Sequence, residues 1–161
     1  METENRRILG QIDISSDPDK VWKAWTTVDG AVCFFAPEAM IEARPGGAYE
    51  LYFDPSAPEG ERGAEGMRIL ALQEPQFLSF TWNAPPHLPT VRGQQTLVQI
   101  HIEAMADGLS RVTLQQDGWG TGDEWDAAYA YFERAWFKIV LPRLKFYLEE
   151  GPIDWSNPPQ I

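Results

Sequence analysis

The sequence predicts an α+β domain in which a curved, seven-stranded antiparallel sheet packs against a long C-terminal helix, with two short helices after the first strand. Three observations predict it. Apolar residues alternate with period two in several runs through the middle of the chain. Tight-turn signals join those runs in pairs. A segment of helical period, "DEWDAAYAYFERAWFKIVLPRLKFYLEEG", starts at Asp123 and ends at the stop signal Gly151–Pro152.

The elements come in order along the chain. "RILGQIDI" places Ile8, Gly10, Ile12 and Ile14 on one face of a strand. Asp17 is a good helix N-cap, and Pro18 suits the first helical position. Val21, Trp22 and Trp25 then share a face of a short helix ending near Thr27. A second short helical piece, "GAVCFFAP", stops before Pro37. Three hairpins come next. "AMIEA" and "AYELYF" flank "RPGG"; "MRILALQ" and "QFLSFTWN" flank "EP"; "QTLVQIHIEA" and "SRVTLQQDG" flank "MADGL". Gly108 is available for a positive-φ position in the last turn. Longer connections, Asp54 to Glu65, Ala84 to Gly93 and Gly118 to Gly122, alternate with these turns. In an antiparallel meander they cluster at one end, where sites tend to sit. "DPSAPEGERGAE" and "APPHLPTVRG" read as irregular, mobile loops.

The last helix opens on Thr121 and Glu124, which have capping-box spacing. Taking ~28 residues at ~1.5 Å each gives a helix of roughly 42 Å. On a helical wheel Trp125, Tyr129, Phe132, Trp136 and Ile139 form one stripe. Phe137, Val140, Leu141, Leu144 and Leu148 form another, rotated from the first. Pro142 sits at the change. It has no N–H for the Lys138 carbonyl, so a bend is expected there.

An aromatic stripe at helical spacing is most often core. Here the rings are all large, and the strands bring more of them: Tyr49, Leu51 and Phe53 on one face, then Leu78, Phe80 and Trp82. Large rings without small partners pack poorly as a close-filled set. They can instead line an apolar cleft of the kind that holds small molecules. The candidate lining is Phe35, Leu51, Phe53, Phe80, Trp82, Val98, Trp119, Trp125, Tyr129, Phe132 and Trp136.

Composition narrows the function. The 161 residues suit one domain, with a core over about 8–151 and a tail over 152–161. A net charge of −11 opposes binding to nucleic acid or anionic lipid. No apolar run reaches signal-peptide or membrane-span length, and the single Cys33 excludes an internal disulfide. A cytoplasmic protein is the expectation. Cys33, beside Phe34 and Phe35, reads as a small buried hydrophobe.

Catalytic signals are sparse. His87 lies in a candidate mouth loop, and His101 points away from the face that carries Val98, Ile100 and Ile102. The two histidines form no metal motif, and no G-x-S-x-G nucleophile motif is present. The glycine-rich "GGAYE" and "GWGTG" do not have phosphate-loop spacing, so no cofactor is expected. Arg68, Asp117, Asp123 and Glu124 are the titratable candidates near the mouth. Each has a plainer role as a surface or capping residue.

The order of elements resembles the helix-grip fold of the START and birch-pollen-allergen (Bet v 1-like) superfamily. Locally, "SSDPDKVWKAWTT", "RPGGAYELYF", "EPQFLSFTW", "SRVTLQQDGWG" and "AWFKIVLPRLKFYLEEG" resemble its AHSA1-like SRPBCC branch, named for the activator of Hsp90 ATPase homologue 1. The resemblance implies a hydrophobic ligand held between sheet and helix, with the mouth near the helix N-terminus. Cyclases and dehydratases in the wider superfamily make an enzyme on the same pocket the alternative. An interaction module, whether a homodimer or a co-chaperone, is the third reading. Hsp90 as a partner is not implied.

Overall fold

The computed structural model describes residues 6–161, so the first five residues of the expected domain and leader reading lie outside it. Strand β1 (Ile8–Ile14) is followed by helices α1 (Pro18–Thr26) and α2 (Val28–Ala31). Strands β2 (Glu38–Ile41), β3 (Tyr49–Tyr52), β4 (Gly63–Ala64), β5 (Ile69–Gln73) and β6 (Phe77–Trp82) come next. Helix α3 (Pro89–Arg92), strands β7 (Thr96–Ala104) and β8 (Ser110–Asp117), and helices α4 (Asp123–Ala135) and α5 (Leu141–Glu149) complete the chain.

The three expected hairpins all form, as antiparallel pairs β2–β3, β5–β6 and β7–β8. Gly108 adopts φ +70° in the last turn, as its position requires. Among the described residues the strand count is eight, not seven. Five strands run in the order β1-β8-β7-β6-β5, and β2-β3-β4 form a second ladder. The extra strand, β4, is only two residues long and pairs with Leu51 and Tyr52. Two residues are too few to show an alternating pattern. Main-chain bonds stitch the ladders together: Tyr49 N–H donates to the Met67 carbonyl and Ile69 N–H to the Gly47 carbonyl, each at 2.9 Å.

Three local expectations are corrected. "APPHLPTVRG" is not wholly irregular, because Pro89 starts the one-turn helix α3. The Thr121–Glu124 capping box does not form. Gly122 occupies the N-cap of α4, and the Glu124 carboxylate instead accepts the Val91 N–H at 2.8 Å. Cys33 is half-buried rather than buried, with its thiol donating to the Asp29 carbonyl at 3.1 Å.

The long helix departs from α geometry just before Pro142. Residues Trp136–Val140 form a π turn, and the Leu141 N–H reaches back five residues to the Trp136 carbonyl. The expected irregularity therefore takes the form of one widened turn upstream of the proline. Widening explains the rotated stripe: Phe132 and Trp136 are buried up to its first residue, and Val140, Leu141 and Leu144 from its last residue on. The tail folds back on the domain. Ile153 N–H donates to the Cys33 carbonyl and Trp155 Nε1 to the Val32 carbonyl.

Helix and β1 approach closely at Gly10. A Cβ there would lie 2.4 Å from Cε1 of Phe137. Gly10→Ala should therefore destabilise the domain by about 1–3 kcal/mol through overpacking, read as a lower urea midpoint at unchanged slope.

Candidate functional site

A cavity of about 420 Å³ opens between three segments of the fold. The first is the β3–β4 loop with Phe53, Asp54, Glu61, Arg62 and Gly63. The second runs from Trp82 to Pro86, with Arg92 behind it. The third is the helix, through Tyr131, Phe132, Ala135, Trp136, Ile139, Val140 and Arg143, and Phe35 lines the cavity as well.

Two of the three longer connections, Asp54–Glu65 and Ala84–Gly93, thus form the rim. Arg92 ties them together. Its Nη2 donates to the carbonyls of Gly60 at 2.7 Å and Gly63 at 2.8 Å, its Nε also reaches Gly60, and its Nη1 donates to the Ala84 carbonyl. The planar fork of guanidinium suits such a clamp, because four donors are fixed by one rigid group. Partial burial pulls this guanidinium below the ordinary arginine value, opposed by the charges of Glu65 and Glu61.

One wall is built on a buried polar network. Gln116 is fully buried on β8. Its Oε1 accepts the Trp136 Nε1–H at 2.8 Å, and its Nε2 donates to Thr96 Oγ1 at 2.9 Å. Thr96 in turn donates to the Trp82 carbonyl at 3.3 Å. The rings of Trp82 and Trp136 lie 5.7 Å apart, and Phe35 touches both at 5.6 and 5.8 Å.

Five of the expected lining residues meet at this cavity: Phe35, Phe53, Trp82, Phe132 and Trp136. The other six do not line it. Leu51, Phe80 and Val98 are fully buried in the core, where Phe80 stacks on Tyr49 at 4.3 Å. Trp119, Trp125 and Tyr129 form a separate ring cluster, joined to the cavity wall by the contact of Trp119 with Phe132 at 6.1 Å. That cluster packs against the start of β1, where Arg6 lies over Tyr129 at 5.2 Å. The rings of the sheet and helix interlock more than their size suggests, and the hollow lies against their edge. It also lies along the middle of the helix, residues 131–143, rather than at the helix N-terminus.

Lining residues that sequence reasoning left out include Tyr131, Ala135, Ile139 and Arg143 on the helix, Arg92 at the end of α3, and Arg62 and Asn83 on the loops. The helix set has a legible signal, a step of four residues that meets the aromatic stripe at Ile139, with Ala135 as its small member. Tyr131 and Ile139 are 42% and 38% exposed, and Phe53 is 47% exposed, so the rim presents apolar surface to solvent. Arg143 makes no ion pair and no side-chain hydrogen bond among the described residues. Its guanidinium lies 5.4 Å over the Trp155 ring, and burial pulls it below the ordinary arginine value.

The titratable candidates taken from the sequence lie elsewhere. Arg68 is exposed and donates to the Gly46 carbonyl, Asp117 pairs with Arg7 at 2.8 Å, and Asp123 is exposed in the first turn of α4. His87 packs edge-on against Tyr131, and His101 is exposed beside Phe77. Among the described residues no group of His, Cys, Asp and Glu could hold a metal ion. No helix among them is long and apolar enough to cross a membrane.

Comparison with known proteins adds the family. The model of the activator of Hsp90 ATPase homolog 1-like protein family matches residues 15–149. The chain belongs to this family. Solved structures agree with the AHSA1-like assignment at the level of fold. Protein MLL2253 from Mesorhizobium loti is 18% identical with a TM-score of 0.72, over 92% of this chain and 100% of that one. The Aha1 dimer from Colwellia psychrerythraea is 20% identical with a TM-score of 0.69, over 91% and 98%. An Hsp90 activator from Plasmodium falciparum is 11% identical with a TM-score of 0.69, over 88% and 95%. No curated protein matches the chain. The helix-grip architecture of AHSA1-like proteins is thus the architecture seen here.

Two tests address the frame of this AHSA1-like site. Gln116→Leu leaves the Trp136 Nε1–H unpartnered in the core, so it should cost about 1–3 kcal/mol in denaturant unfolding. Arg92→Lys cannot reproduce the fork, so amide exchange in residues 54–63 should speed up while the strands stay protected.

Proposed function

We propose that the protein binds a small hydrophobic or aromatic molecule in the cavity between the helix and the two rim loops. The observation that carries this reading is the cavity itself. Its volume of about 420 Å³ is that of a small-molecule pocket, and its surface is mainly apolar, with ring faces and edges bordered by the charged side chains of Asp54, Glu61, Arg62, Arg92 and Arg143. The fold belongs to a superfamily expected to hold such ligands, which supports the same reading. Phe35, Trp82, Phe132 and Trp136 supply the flat, buried wall, and Phe53, Tyr131 and Ile139 supply the open rim.

The enzyme reading needs a buried acid–base group beside the rings. The carboxylates at the cavity, Asp54 and Glu61, are both exposed, and neither histidine lines it. Binding therefore fits the geometry better than proton transfer. The single thiol, half-buried and without a disulfide partner, suits the reducing cytoplasm.

Ala135→Leu offers a direct test, because Ala135 lines the cavity and the larger side chain would occupy part of it. A ligand at a hundredfold excess over its Kd should stabilise the wild-type chain by about 2.7 kcal/mol. In a thermal-shift screen with neutral bicyclic and tricyclic aromatics, that stabilisation should be lost in Ala135→Leu. Stabilisation that survives this change, and also survives Phe132→Ala and Trp82→Ala, would place binding elsewhere.

A further inference from the structure

We propose that the molecule this cavity accepts is an amphipathic anion: a flat apolar body bearing one oxyanion, such as a carboxylate, with Arg143 as its counter-ion. The inference rests on the binding reading above and adds the charge of the ligand.

The cavity is lined by three arginines, and their situations differ. Arg62 is satisfied by Glu65, with Nε to Oε1 at 2.8 Å, and lies over the Tyr52 ring at 4.6 Å. Arg92 spends its donors on the carbonyls of Gly60, Gly63 and Ala84. Arg143 has neither kind of partner among the described residues. One face of its guanidinium is covered by Trp155, while the N–H donors of a guanidinium radiate from its edge. A planar cation held by a ring on its face and free at its edge is a receptor for a carboxylate, which it can meet with two parallel hydrogen bonds.

Its place fits this role. Arg143 lines both the apolar cavity and a smaller cleft of about 150 Å³ bounded by Lys138, Ile139, Pro159 and Ile161. An apolar body against Trp136 and Ala135 would thus bring a charged end to the border where Arg143 and Lys138 lie. The acids of the cavity sit on its other wall. Asp54 is turned to the backbone N–H and hydroxyl of Ser56, and Glu61 is exposed on the same loop. The net charge of −11 repels anions at long range. That field is screened within ~8 Å at physiological salt, so a local guanidinium decides at contact.

The experiment uses two fluorescent probes of similar shape on the full chain. Anilinonaphthalene sulfonate carries an anion, and N-phenylnaphthylamine does not. Arg143→Met should weaken the sulfonate about tenfold or more, the scale of a lost charge-assisted hydrogen bond, and leave the neutral probe within about twofold. Arg143→Lys should keep part of the sulfonate affinity. Should Arg143→Met fail to melt cooperatively, Arg143→Gln makes the same comparison. Equal loss of both probes, or no loss of either, overturns the anion assignment while the cavity reading stands on neutral-probe binding that Ala135→Leu blocks. If neither probe binds the wild-type chain, or Ala135→Leu blocks neither, both readings fall.

Discussion

The structure depends on one buried amide. Gln116 sits on the inner face of the sheet, fully shielded from water, and a primary amide in that position must find partners or cost free energy. It finds them in both layers. The helix supplies the Trp136 indole N–H, and the neighbouring strand supplies the Thr96 hydroxyl. The backbone carbonyl of the same residue accepts the Trp119 indole N–H at 2.9 Å. A single strand position therefore fixes two tryptophans, one at the cavity wall and one in the ring cluster next to β1. Apolar packing alone is non-directional and would tolerate sliding of the helix along the sheet. The amide sets where along the sheet the helix comes to rest, and with it the shape of the hollow.

Much of the fold was legible because its signals are local. Turn residues at 45–47, 74–75 and 106–108 announced three hairpins, and alternation set which strand faces turn inward. The element order suggested the helix-grip superfamily, and five short segments suggested its AHSA1-like branch, whose model matches residues 15–149. What escaped was short or tertiary. Gly63–Ala64 is a strand only because Leu51 and Tyr52 lie beside it. Glu124 looked like a cap because its spacing from Thr121 is right, yet the nearby α3 offers the Val91 N–H instead. Spacing cannot weigh a local partner against a distant one.

The candidate site was half legible for a similar reason. Ring size identifies residues that need large neighbours, but not which neighbours. Phe80 and Tyr49 satisfied each other by stacking, and Trp119, Trp125 and Tyr129 did so among themselves, which removed them from the cavity. Space was left where the chain offers Ala135 and a Gly–Pro-rich loop in place of another ring. The arginines at that edge look like ordinary surface charges in sequence. Only the fold shows that one is clamped to carbonyls, one is paired and one is neither.

The widened turn at Trp136–Val140 carries a consequence for how this helix can change over evolutionary time. A π turn is equivalent to an α-helix that has absorbed a single inserted residue. Rewinding that turn as regular α-helix at the present length would swing every downstream side chain by ~100°, whereas excising one residue together with the bulge would leave them on their present faces. At constant length Leu141 and Leu144 would leave the core and the half-exposed Arg143 would take the place of Leu144. The core positions of α5 thus tie the widened turn to the helix's length: the two can be lost together, but neither can be lost alone.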